Sequence, residues 1–397
     1  MSSPIAPARL ACPPRPTIIE AEFKAPPPIN VLDDSALFLV PLAGKSPISN
    51  IKSTAINPPQ RISGITFKSP AKQLTISISL TCYIANKFAI LNLIRYFNFL
   101  ILLFLEATIT QFGISTALLT PFNSDNRINL SLLCIHAHHV LQNGSDGVTM
   151  FGTTGEGASI GFDERQEAIY AILDSGLEAD RITLGLCASA VDDVLMQVHQ
   201  GMALGIKRFL LLPPYYFKNL DDQGLFEWHA QLFKKADPSA QFILYHIPQI
   251  TQVPLSFNLI LKLRKKFHNR VIALKDSAGL WDDTRAALES QKIPVLVGDE
   301  RLLHKAAALG AAGSICGMAN LYPNRLQTLF DSHAADFDLC ADVDLIVSHP
   351  VIPALKQAIV AMTGNLDWGH LRAPLQPLAP KAKASIEARF GQKMTRT

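Results

Sequence analysis

The chain has 397 residues, enough for two ordinary domains or for one barrel with extensions. Hydrophobic residues make up 48% and charged residues 17%, which describes a globular protein with a large core and excludes a disordered one. A net charge of +3 is too small for a nucleic-acid-binding surface.

The six cysteines (Cys12, Cys82, Cys134, Cys187, Cys316 and Cys340) form no CxxC pair. That scatter fits reduced thiols in a cytoplasmic protein better than a disulfide framework or a zinc knuckle.

Residues 1–110 differ in character from the rest. Half of the 26 prolines fall here, and no helical or strand period persists up to Gln73, so most of the segment reads as disordered or loosely structured. Ten basic and five acidic residues precede Gln111, which leaves the remainder slightly acidic. Phe88 to Leu105 is an apolar run, predicted as one helix and just long enough to span a bilayer. Asn92, Arg95 and Asn98 interrupt it, and polar groups are costly in a bilayer, so a membrane anchor is disfavoured. The run lies too far from Met1 for an ordinary secretory signal. A packing helix, an anchor and an extension foreign to the folded protein are the three readings, and the last is favoured.

From Gly113 the pattern becomes regular. Strand-like runs stand at 114–119, 147–151, 182–187, 208–212, 242–245, 271–274, 295–297 and 314–316. Amphipathic helical stretches separate them, among them 130–142, 163–176, 191–204, 222–235, 257–267 and 301–309, with Asp163 and Ser256 as helix-start residues. Eight alternating units predict an α/β fold, a closed (β/α)8 TIM barrel over 111–321, with a C-terminal helical region over 322–397. An open doubly wound sheet is the alternative, but no G-x-G-x-x-G turn follows the first strand.

In a barrel the residues just past each strand face one mouth. The second strand ends in Gly152-Thr-Thr-Gly-Glu-Gly157, where glycines allow close backbone approach and hydroxyls can hold a carboxylate. The fourth ends in Pro213-Pro-Tyr-Tyr-Phe217, the fifth in Tyr245-His-Ile-Pro248, and the sixth in Lys275-Asp-Ser-Ala-Gly279. A phenol at Tyr245 can pass a proton to a reacting oxygen. A lysine among apolar neighbours loses solvation of its charged form, which favours the neutral amine that attacks carbonyls. Each motif also has a plain reading: capping threonines, packed tyrosines, a solvated lysine.

Taken together, these motifs resemble the dihydrodipicolinate synthase / N-acetylneuraminate lyase family of Schiff-base aldolases. The order G-T-T-G-E, P-Y-Y, Y-x-x-P and K-D-S-x-G carries the resemblance, with the early TALLTPF and the late GSICGMAN, from Gly113 to about Arg389. The resemblance implies that Lys275 forms an imine with pyruvate or a related 2-oxo acid. It implies that Thr153 and Thr154, in the turn opened by Gly152, hold the carboxylate, and that Thr153, Thr154 and Tyr245 form a proton relay. Tyr216 matches a tyrosine that reaches into a neighbouring subunit's site, implying a homo-oligomer, dimer or tetramer. Ile315 matches a pocket-lining position. No metal and no organic cofactor is required, with helix N–H groups assisting the hydroxyls.

Departures bear on substrate. Ile250 stands where the dihydrodipicolinate synthases carry an arginine that grips the second substrate's carboxylate, and an aliphatic side chain makes no such contact. His246 replaces an asparagine. The expected function is therefore a lyase or aldolase on a 2-oxo acid, with a 2-oxo sugar-acid dehydratase or a non-catalytic binding barrel as alternatives. A phosphate-sugar aldolase cradled by Gly310, Gly313 and Gly317 is opposed by the two carboxylates of Asp299 and Glu300 at the mouth. His136, His138 and His139 lie on a predicted outer helix with no carboxylate at ligand spacing.

Overall fold

The computed structural model describes residues 65–68, 73–76 and 112–391. The first two segments, Ile65–Lys68 and Gln73–Ile76, pair as antiparallel strands, although no strand period persists in the sequence there. The apolar run Phe88–Leu105 and the expected disorder of 1–110 otherwise lie outside the described residues. Among the described residues no helix is long and apolar enough to cross a membrane.

Each of the eight apolar runs forms a strand: β1 Gly113–Ala117, β2 Gly147–Met150, β3 Ile182–Leu186, β4 Arg208–Leu211, β5 Gln241–His246, β6 Val271–Asp276, β7 Val295–Val297 and β8 Gly313–Cys316. They pair in parallel, in chain order, and β8 closes onto β1. Helices return the chain between them: α1 Leu130–Gln142, α2 Phe162–Asp174, α3 Val191–Ala203, α4 Asp222–Lys235, α5 Phe257–Lys266, α6 Trp281–Ser290, α7 Glu300–Ala308 and α8 Pro323–Ser332. The eighth helix thus lies past residue 321. Three more helices follow: α9 Phe337–Val347, α10 Val351–Thr363 and α11 Pro380–Phe390.

Helix starts follow capping chemistry. Side-chain oxygens of Asn129, Asp221, Ser256 and Asp336 accept from the amides of Leu132, Gly224, Leu259 and Leu339. Asp163 is not a cap: Gly161 holds that position and Asp163 lies in the first turn of α2, where its charge opposes the helix dipole's positive end.

Strand alternation divides the apolar residues between two cores. Outward-facing Phe209, Leu211, Phe242, Leu244 and Val271 join the helices in a large outer core. Inward-facing Leu210, Ile243, Tyr245, Ala273, Leu296 and Ile315 fill the lumen. Beneath them the lumen narrows to a cavity of about 20 Å³, room for one water.

One irregularity decides which way the sixth strand faces. Val271 pairs with Phe242, but Ala273 pairs with Ile243, so Ile272 is an extra residue. Strict alternation from the outward Val271 would turn residues 273 and 275 outward as well. The bulge inverts the sequence of faces and brings both into the lumen.

Candidate active site

Lys275 emerges from the C-terminal end of β6, paired in register with Tyr245 on β5 and Leu296 on β7. Its side chain is 4% exposed, and Nζ lies 4.1 Å from the centroid of the Tyr245 ring, within cation–π range. The Tyr245 hydroxyl stands 3.4 Å from Thr153 Oγ1, at the long end of hydrogen bonding, as is common before substrate tightens a site. Sequence spacing alone separates these three residues widely. Closure of the barrel brings them together.

The Gly152–Gly157 turn is held tightly from within. Glu156 N donates to Thr153 O at 3.1 Å and Gly157 N to Gly152 O at 3.1 Å, and Phe151 and Glu156 both adopt left-handed backbone. A Cβ on Gly157 would stand 1.9 Å from Phe151 O, so only glycine fits. Among the described residues, the amides of Thr154 and Gly155 have no backbone acceptor. The expected helix N-terminus is not there: only a three-residue 3₁₀ turn follows, and α2 begins at Phe162. Thr154 lies beside the β8 loop, its Oγ1 3.9 Å from where a Gly317 Cβ would stand. Ile315 is buried in the lumen.

Tyr216 is not brought into this cluster within one chain. Its ring is 77% exposed and packs edge-on against Phe217, while Tyr215 turns toward the lumen and donates to Cys187 O at 3.4 Å. His246 and Asp276 pair on the outer face, opposite in direction to Tyr245 and Lys275. There His246 Nδ1 accepts from Leu255 N at 3.2 Å, and burial lowers its pKa against the raising charges of Asp276 and Asp283. It supports the wall and does not line the lumen.

Contrary to expectation, neither carboxylate of the β7 loop stands free at the mouth to repel a phosphate. Asp299 accepts from Arg301 Nε at 2.9 Å and from its Nη2 at 2.7 Å. Glu300 is buried, and Met318 N donates to its Oε1 at 2.8 Å. Burial pushes the Glu300 carboxyl up, partly offset by the Met318 bond and the charge of Lys275. The three histidines of α1 make separate bonds: His136 to Asn320, His138 to Ser175, and His139 to Asn143.

Two residues behind the site carried no expectation from the sequence. Glu156 Oε1 accepts from Lys356 Nζ of α10 at 2.6 Å, and both side chains are 1% exposed. Burial raises the Glu156 carboxyl and lowers the Lys356 amine, each offset by the other's charge. The sequence does hold a trace of this: Lys356 is the single charge in the apolar helical stretch 350–363.

The sequence matches the model of the Dihydrodipicolinate synthetase family over residues 110–393. A relative described as an uncharacterized DapA-like lyase, from Chloroflexus aurantiacus, is 32% identical over 294 residues, 72% of this chain and 98% of that protein. The 4-hydroxy-tetrahydrodipicolinate synthase of a Synechococcus species is 24% identical over 295 residues, 71% of this chain and 95% of the relative. The crystal structure of dihydrodipicolinate synthase from Agrobacterium tumefaciens superposes with a TM-score of 0.69 at 36% identity, covering 71% of this chain and 99% of that one.

Proposed function

The chain belongs to the dihydrodipicolinate synthetase family, and from that membership we propose that Lys275 is the imine-forming amine of a lyase that makes or breaks a carbon–carbon bond next to pyruvate or a close 2-oxo acid. The enzyme is a lyase of the class I aldolase type. The observation that carries the assignment to Lys275 is its burial at the end of β6 against Tyr245, whose hydroxyl is 3.4 Å from that of Thr153.

In the proposed cycle the neutral amine attacks C2 of the ketone to give a carbinolamine. The C2 oxygen leaves as water, taking a proton through the Tyr245 phenol, and a protonated imine remains. Loss of a proton from C3 gives an enamine, which forms a bond to an aldehyde carbon, and the new alkoxide takes up a proton. Water then hydrolyses the imine and frees Lys275. Cleavage runs the same steps backwards, and the imine serves as electron sink in both directions. The Thr153 and Thr154 hydroxyls, with the Thr154 and Gly155 amides, hold the carboxylate and orient C2, while Gly152 and Ile315 shape the pocket floor.

Ile250 at the position of the carboxylate-gripping arginine supports a second substrate without a carboxylate at that end. The exposed rings of Tyr216 and Phe217 support a homo-oligomer in which Tyr216 completes a neighbouring site. The unpaired state of Cys134, Cys187, Cys316 and Cys340 supports residence in a reducing compartment, the cytoplasm.

Borohydride reduction in the presence of pyruvate is expected to add one pyruvyl unit, less its oxygen, to Lys275, and to leave Lys275→Met unmodified. Saturable pyruvate binding with no adduct on the folded protein would reassign the molecule as a binding barrel.

A further inference from the structure

The Gly152–Gly157 turn is braced from outside the barrel by the C-terminal helices. Lys356 Nζ reaches Glu156 at 2.6 Å and also donates to His370 O at 3.2 Å. Arg372 donates to Ser159 O at 2.9 Å, just beyond the turn, and to both Glu164 oxygens at 2.9 and 2.8 Å. Both cations stand over the ring of Phe122, Lys356 Nζ at 4.5 Å and Arg372 Cζ at 4.3 Å from its centroid. From the β1 side, Thr120 Oγ1 donates to Gly155 O at 2.7 Å. The turn therefore contacts α10 at Glu156 and the β1 loop at Gly155, and the segment after α10 holds Ser159 just past its end.

A surface ion pair could be lost with little effect. This one is dry, and Glu156 adopts left-handed backbone, a conformation that persists only where surroundings over-determine it. An unpaired charge left at either position would draw water or push the turn out of place.

We propose that Glu156 and Lys356 are positioning residues: their buried pair, anchored on α10, sets the conformation of the turn so that Thr153 meets Tyr245 and Thr154 meets the substrate carboxylate. The C-terminal helical region is on this view part of the substrate-binding machinery. The inference rests on the carboxylate role proposed above for Thr153 and Thr154. Neither Glu156 nor Lys356 touches substrate, so the effect falls on binding of the 2-oxo acid more than on turnover once it is bound.

The test uses the full chain as wild type, Lys356→Met and the double variant E156Q/K356M. Lys356→Met is expected to lower the thermal midpoint and raise half-saturating pyruvate. The double variant leaves no uncompensated charge and is expected to regain much of the midpoint, while half-saturating pyruvate in borohydride trapping stays raised about tenfold and the trapping rate at saturation changes less. Amide exchange in the peptide covering 152–157 is expected to quicken in the same variant, with the β6 peptide unchanged. A double variant with wild-type half-saturation and wild-type exchange would reduce the pair to a structural one and overturn the proposal. Should the double variant not fold, Lys356→Gln decides on the same two readouts. Absence of any adduct in the wild type would instead defeat the imine assignment, and loop exchange would still decide the role of the pair.

Discussion

At the depth of the strand ends, Thr153, Tyr245, Lys275, Glu156 and Lys356 are buried or half-buried, and every one has a named contact. A turn further out along β4, β5 and β6, the chain leaves Tyr216, Phe217, Ile250 and Leu280 exposed, with Ile250 at 60%. Backbone acceptors help join the outer loops: Lys218 Nζ donates to Thr251 O at 2.8 Å and Gln249 Nε2 to Ser277 O at 2.6 Å. The contrast separates two requirements. Imine chemistry needs fixed distances and a dry amine, which burial supplies. Choice of the second substrate needs only the identity of a few rim side chains, which can change without disturbing the core.

If the inner layer does the chemistry, the largest effect comes from Tyr245→Phe. The ring body stays in the lumen, so the fold is kept, but removal of the hydroxyl is expected to lower kcat by ~10²-fold or more. Steady-state rates on purified, folded variant check this, and activity within a factor of two would remove Tyr245 from the relay.

The helical shell behind the inner layer should be the pH-sensitive part. His136 on α1, bonded to Asn320 at 2.9 Å, and His229 on α4 are buried, and burial pushes each down to about 4 from 6.5. Their folded values lie below the unfolded one, so the unfolded chain binds more protons beneath pH 6.5. Stability is thus full above that pH and falls as pH drops toward 4, by about 1.4 kcal/mol per unit and per histidine. Urea midpoints between pH 7 and 4.5 measure the slope. His136→Asn is expected to flatten part of it, and an unchanged slope would show that His136 does not contribute.

The smallest expected effect belongs to the rim. Ile250→Arg should change stability by less than about 0.5 kcal/mol and leave pyruvate trapping untouched. It should favour aldehydes that carry a carboxylate by about tenfold over wild type, read in competition between charged and neutral aldehydes. Loss of pyruvate trapping in this variant would show that rim and inner layer are not separable.

Much of this was legible from the sequence. Eight apolar runs with helical stretches between them specify a parallel α/β sheet, because parallel strands require crossovers and both strand faces are apolar. Closure into a barrel is seen in the pairing of β8 with β1. The motifs at Gly152–Gly157, Tyr245 and Lys275 fall at strand ends, and their chemistry is readable from residue type. The same rule hides other facts. A strand apolar on both faces carries no mark of which face is inner, so only the bulge at Ile272, set by pairing between β5 and β6, turns Lys275 into the lumen. Glu156 and Lys356 lie 200 positions apart and meet only because α10 packs behind the turn. Residue types and periods determine the elements and the available chemistry. Which side chains share a dry space is decided by tertiary packing, since burial and pair distance are properties of the closed barrel and not of any one segment.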